Sequence, residues 1–179
     1  LLKNSAKHVR LSPFVDSKPF ATAAANRERN RLTLARTHGL DLKAPWLITV
    51  AMMRKDRAKL PSFQQLATAL SKVQTHFQLV VAGAGAAQSE VIQLLTQAIG
   101  KRFKHLGLLD EISVANLYAA GDLYVWPAVN EAFGVSFLEA QAAGLPVLAS
   151  RHGGVPDVVL DGVTGRLVRP NDSNALAST

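Results

Sequence analysis

From Pro45 onward, short apolar runs alternate with stretches of helical period, and this alternation leaves few folds open. Trp46–Ala51 is a nearly continuous apolar run, as expected of a strand covered on both faces. Phe77–Ala82, Arg102–Leu106, Leu123–Trp126, Pro146–Ala149 and Gly165–Val168 read as further strands. Between them Phe63–Val73, Ala86–Ile99, Asp110–Ala119 and Val135–Ala143 read as helices, and a last one opens after Asn171-Asp172. Asp110 suits an N-cap position. The alternation predicts an α/β fold with a doubly wound parallel sheet. Such sheets bind ligands at the carboxyl ends of their strands, so the loops that follow strands are where chemistry is expected.

Composition narrows the function classes. The 179 residues are 48% hydrophobic, enough for one sizeable core. Without cysteine there is no disulfide framework and no thiolate metal site, in keeping with a reducing compartment. No apolar run reaches the roughly 18 residues of a membrane span. The first residues lack the apolar core of a signal peptide and do not begin with Met, so a piece of a longer protein is expected. The net charge of +7 is uneven: residues 1–59 carry 13 Lys and Arg against 4 Asp and Glu, and residues 60–179 carry 7 against 9. Nucleic acid, an anionic membrane surface or a phosphate ligand would each suit that asymmetry. No basic stripe interleaved with aromatics accompanies it, which disfavours nucleic acid. Residues 1–19 read as a connecting segment. Pro19–His38 reads as one helix ending at Gly39, its polar face of Arg27, Glu28, Arg29, Arg31 and Arg36 solvated.

Three strand-following loops hold the candidates. After the first strand, Arg54-Lys55-Asp56-Arg57-Ala58-Lys59 packs four cations into six positions, where Arg54 could grip a phosphate bidentately and Lys59 add a point charge. After the second, Gly83-Ala84-Gly85-Ala86-Ala87 has the outline of a dinucleotide fingerprint. It follows the wrong strand and lacks the later acidic residue, so a tight strand-to-helix turn is the better reading. After the fourth, Glu131 precedes a helix that begins near Val135, and Glu139 lies about one turn inside it. Helical side chains lean toward the N-terminus, which aims Glu139 back at the loop. The helix start offers free N–H groups and a positive dipole end suited to phosphate. His152, a lone loop histidine beside Gly153, reads as solvated.

Glu131-Ala-Phe-Gly-Val-Ser-Phe-Leu-Glu139 and the following Ala-Gln-Ala-Ala-Gly-Leu-Pro-Val resemble the Glu-x7-Glu signature of the retaining GT-B glycosyltransferases of the group 1 (family four) class. Gly153-Gly154-Val155-Pro156-Asp157 is similar to that family's Gly-Gly-x-Pro-Glu turn, and Asp161-Gly-Val-Thr-Gly165 to its Asp-Gly-x-Thr-Gly turn. Residues 12–16 resemble the stretch joining its two domains. The resemblance implies residues 1–40 as an interdomain hinge segment and surface helix. Residues 41–179 would be the C-terminal, Rossmann-like domain that binds a nucleotide-diphosphate sugar, cut off before its closing helices. It implies that Arg54 and Lys59 neutralise the leaving diphosphate and that Glu131 sits by the transferred sugar. Glu139 would accept from the ribose hydroxyls, the N–H groups of Phe133, Gly134 and Val135 would face the donor, and the backbone near Leu106 would border the base. The activity implied is retaining hexosyl or other glycosyl transfer to an unknown acceptor held by an N-terminal GT-B domain. No cofactor and no metal are expected, and the piece alone is expected to be inactive. A cytoplasmic place is expected, with peripheral contact at the inner face of a membrane as an extension of it. The family's usual glycine before the Arg is Met53 here, and the second-strand turn lacks a common acidic residue. A GT-B sugar-nucleotide epimerase or phosphorylase, and a non-catalytic nucleotide-sugar-binding module, remain as alternatives.

Overall fold

The computed structural model describes residues 13–179, so most of the connecting segment read at 1–19 lies outside the described residues. Helices α1 (Lys18–Ala24) and α2 (Arg27–His38) precede the sheet. Strand β1 (Trp46–Val50), α3 (Lys59–Leu70), β2 (Gln78–Ala82), α4 (Gln88–Ile99), β3 (Phe103–His105) and α5 (Glu111–Ala120) form the first half. Then come β4 (Leu123–Trp126), α6 (Val135–Ala142), β5 (Val147–Ser150), β6 (Gly165–Val168) and α7 (Ser173–Ser178). The six strands lie in the order β3-β2-β1-β4-β5-β6, and every neighbouring pair is parallel. This is the Rossmann-like, doubly wound arrangement expected from the strand–helix alternation. Its topological switch falls between β1 and β4, where Leu47 pairs with Leu123 and Ile48 with Tyr124.

Helices α3, α4 and α7 pack together on one side, and α1, α2, α5 and α6 on the other. Trp46, Ile48, Leu66, Leu79, Leu95, Leu117 and Phe137 are fully buried between these layers. The spacing Val91, Leu95, Ile99 puts the buried face of α4 on one helical stripe. Asp110 and Asp172 cap α5 and α7, accepting from the N–H groups of Ser113 (2.7 Å) and Ala175 (2.8 Å). Among the described residues no helix is long and apolar enough to cross a membrane.

Two helix readings need correction. The helix expected over Pro19–His38 is broken at Ala25-Asn26, where the Asn26 side chain donates to the Thr22 carbonyl (2.9 Å) and its backbone leaves the helical region. Its arginine face is also not simply solvated. Glu28, Arg29 and Arg36 are exposed, but Arg27 and Arg31 reach the carboxyl end of α5. Arg27 donates to the carbonyls of Ala119 (2.7 Å) and Gly121, and Arg31 to Ala120 (2.7 Å). Both bond Asp122, at 2.6 and 2.9 Å, and Arg31 stacks 4.2 Å from the centre of the Trp46 ring. The two guanidiniums thus occupy carbonyls that a helix end leaves without partners. The second correction is α3, which starts at Lys59 rather than Phe63. Asp56 Oδ1 accepts from the N–H groups of Ala58 (3.0 Å) and Lys59 (2.6 Å), and Pro61 fits the first turn because no N–H is needed there.

Candidate active site

The loops after β1 and β4 leave the switch point side by side. The first is braced on the turn after β2: Met53 donates to the Ala84 carbonyl (2.9 Å) and accepts from the Ala87 N–H (2.8 Å). A Cβ on Gly83 would stand 2.0 Å from the Ala51 carbonyl oxygen, so this glycine turn makes room for the loop after β1, as a tight strand-to-helix turn would. Met53 is fully buried, which leaves Arg54 at the surface beside it.

The loop after β4 is shaped by unusual backbone. Ala128 (φ 58°) and Asn130 (φ 53°) are left-handed, a conformation that side-chain-bearing residues seldom adopt. Asn130 donates to the Arg57 carbonyl (3.0 Å), and the Val129 N–H bonds the Ser62 hydroxyl (2.9 Å), so α3 and its leading loop hold this strand exit in place. From the other side the Gly153-Gly154 turn presses on it. A Cβ on Gly153 would lie 2.0 Å from the Glu131 carbonyl oxygen, and one on Gly154 2.0 Å from that of Ala132. Helix α6 then starts at Val135 behind a left-handed Gly134, with the first N–H groups of the helix unused by its own turns.

These loops bound a cleft of about 570 Å³ lined by Arg54, Lys59, Glu131, Phe133, Gly134, Val135 and Glu139. Leu106 is not among its lining residues; Leu108 and Leu109, two and three positions later, are. Lys59 Nζ lies 2.7 Å from Glu131 Oε2, with side chains only 16% and 18% exposed, and 5.6 Å from the centre of the Trp126 ring. Arg54 is 59% exposed, its Nε 2.9 Å from Asp56 Oδ2. The N–H of Lys59, with that of Ala58 and the charge of Arg54 adding to it, holds the Asp56 carboxyl below its ordinary range. Glu139 accepts a hydrogen bond from the Tyr118 hydroxyl (3.0 Å). Burial pushes the Glu139 carboxyl up, the Tyr118 bond opposes this, and the charge of Glu111 adds to it. Tyr118, and Ser136, which also lines the cleft, escaped the sequence reading. Tyr118 sits in an apolar helix stretch where nothing marks its hydroxyl, and Ser136 is one of several small polar residues. A second cleft of about 620 Å³, between α1, α2 and α5, lies away from all these groups. Among the described residues, no cluster of three or more His, Asp or Glu could hold a metal ion.

The sequence profile described as Glycosyl transferases group 1 matches residues 44–179. The chain belongs to that family. A relative, the N-acetyl-alpha-D-glucosaminyl L-malate synthase of Bacillus anthracis, is 30% identical over 151 residues, covering 84% of this chain and 39% of its own length. The D-inositol 3-phosphate glycosyltransferase of Mycolicibacterium smegmatis is 38% identical over 99 residues, 54% of this chain and 23% of its own. The chain therefore spans less than half the length of these curated relatives. Among solved structures, the sucrose-phosphate synthase of Thermosynechococcus elongatus superposes with a TM-score of 0.77 at 30% identity, covering 97% of this chain and 42% of that one. The Rossmann-like sheet and its flanking helices are thus those of GT-B group 1 glycosyltransferases.

Proposed function

We propose that this chain is the donor-binding domain of a retaining glycosyltransferase that transfers a hexosyl or other glycosyl group from a nucleotide-diphosphate sugar. The observation that carries the reading is the meeting of Arg54 and Lys59 with Glu131 and Glu139 around one cleft at the sheet's switch point. Two cations beside a helix start suit a diphosphate, and two carboxylates suit hydroxyl groups. In the reaction the bond between the sugar's anomeric carbon and the diphosphate oxygen breaks. The acceptor oxygen bonds the same face of that carbon, and its proton passes to the departing phosphate. Arg54 and Lys59 stabilise the charge that builds on the diphosphate, without a metal ion. Glu139 holds the ribose, Glu131 the sugar, and the N–H groups at Phe133, Gly134 and Val135 the donor. The acceptor belongs to an N-terminal GT-B domain, and the work is cytoplasmic.

Calorimetric titration of this chain with UDP, GDP and ADP tests the reading. At least one should bind, and Lys59→Ala should weaken it about 10- to 100-fold, the range of one lost charge-assisted hydrogen bond. If none of the three binds the folded chain, the reading is wrong.

A further inference from the structure

Tyr118 is fully buried on α5, yet its hydroxyl reaches a carboxylate that lines the candidate cleft. Its ring packs against two others. It meets Tyr124 at 5.6 Å between ring centres and Phe20 at 6.1 Å, and Tyr124 in turn meets Phe137 at 5.5 Å. The carbonyls just beyond Tyr118 are those taken up by Arg27 and Arg31, so the helix end carrying it is anchored as well. Glu139 Oε2 accepts the hydrogen bond donated by the phenol, and Oε1 accepts no hydrogen bond among the described residues.

We propose that Tyr118 is the positioning residue of the cleft: its hydroxyl holds Oε2 of Glu139 so that Oε1 is left, in fixed orientation, to accept a ligand hydroxyl. This rests on the nucleotide reading above and names the part of the donor that the device serves, the ribose diol. A carboxylate accepts from a hydroxyl best when ionised. Burial works against ionisation at Glu139, and the Tyr118 bond works for it. The other groups facing Glu139 are few. Glu111 on α5 disfavours its charge, Tyr124 on β4 is neutral and bonded to Ser136 (2.8 Å), and Arg54, Lys59 and Glu131 line the same cleft. The one charged residue of α1, Lys18, lines the other cleft.

The test compares, from about pH 5 to 8, the affinity of the chain for a nucleoside diphosphate and for its 2′,3′-dideoxy counterpart. The ratio of the two cancels the diphosphate's own titration near pH 6. The pair is drawn from UDP, GDP or ADP, whichever binds most tightly. The native chain should prefer the ribose form about tenfold at neutral pH. In Tyr118→Phe the preference should shrink to about twofold, and what remains should fade at a higher pH than in the native chain. Glu139→Gln should make the ratio independent of pH. A Tyr118→Phe variant with native melting and an unchanged ratio and profile overturns the inference while leaving nucleotide binding intact. Failure of the native chain to bind either form sinks the nucleotide reading and this inference with it. Should Tyr118→Phe not fold, replacement of both tyrosines by 3-fluorotyrosine keeps the ring and strengthens the donor. The preference should then persist to lower pH, and an unmoved midpoint overturns the proposal.

Discussion

Before β4, the Asp122 carboxylate takes two guanidiniums and the Trp46 N–H (2.8 Å). Beyond it, the Glu131 carboxylate bonds one ammonium among the described residues, that of Lys59. Both clusters join a basic side chain from an earlier helix to an acid beside the same strand. At the amino end, Arg27 and Arg31 are also spent on backbone carbonyls, so the donors and the acceptor are nearly saturated. At the carboxyl end, the cleft cations keep unused capacity, with Arg54 largely in water. A saturated cluster holds elements together. An unsaturated one, set where a sheet opens, can exchange its partner for a ligand at modest cost.

Breaking the saturated end should have the largest effect. Asp122→Ala leaves two guanidiniums and a strand N–H without their acceptor, costing about 2–3 kcal/mol and lowering the melting temperature by roughly 5–10 °C. Nucleoside diphosphate affinity should stay within about twofold for the protein that remains folded. A scanning melt with calorimetry on the same sample checks both, and an unchanged melting temperature would mean the cluster is decorative. Glu131→Gln at the unsaturated end should do the reverse. It frees Lys59 from its mostly buried ion pair, so diphosphate affinity should rise about tenfold, the scale of one charge-assisted hydrogen bond. Weaker binding in this variant would show that Glu131 positions Lys59 rather than competing for it. The smallest effect concerns Glu139. Its folded carboxyl is pushed above its unfolded value, so its contribution to stability is full below the unfolded value and lost as pH rises through the folded one. At neutral pH the ionised group opposes folding. Glu139→Gln should therefore melt about 1–3 °C higher at pH 7, and the gap should close toward pH 4.

The comparison also explains what the sequence could and could not disclose. The strands were legible because a strand covered on both faces must be apolar along its length, as Trp46–Val50 and Gln78–Ala82 largely are. Glu131 and Glu139 were legible because they lie in one short stretch with a recognisable order. The Arg27 and Arg31 cluster was not, since its acceptor lies some ninety residues downstream and helix periodicity says nothing about distant partners. Asp56 was visible as one charge in a basic loop, but its two N–H bonds, which set the start of α3 and so the place of Lys59, depend on loop geometry. Tyr118 gave no signal, because a buried tyrosine is usually core and its hydroxyl partner is chosen by packing.

The contact of the Gly153-Gly154 turn with the Glu131 and Ala132 carbonyls makes the loops after β4 and β5 a single interlocked part. They cannot be exchanged one at a time. A chimera that took the first loop from one relative and the second from another would have to match two backbones at their closest approach. Recombination between relatives should therefore tolerate a crossover before β4 or beyond Asp157, and fail between them.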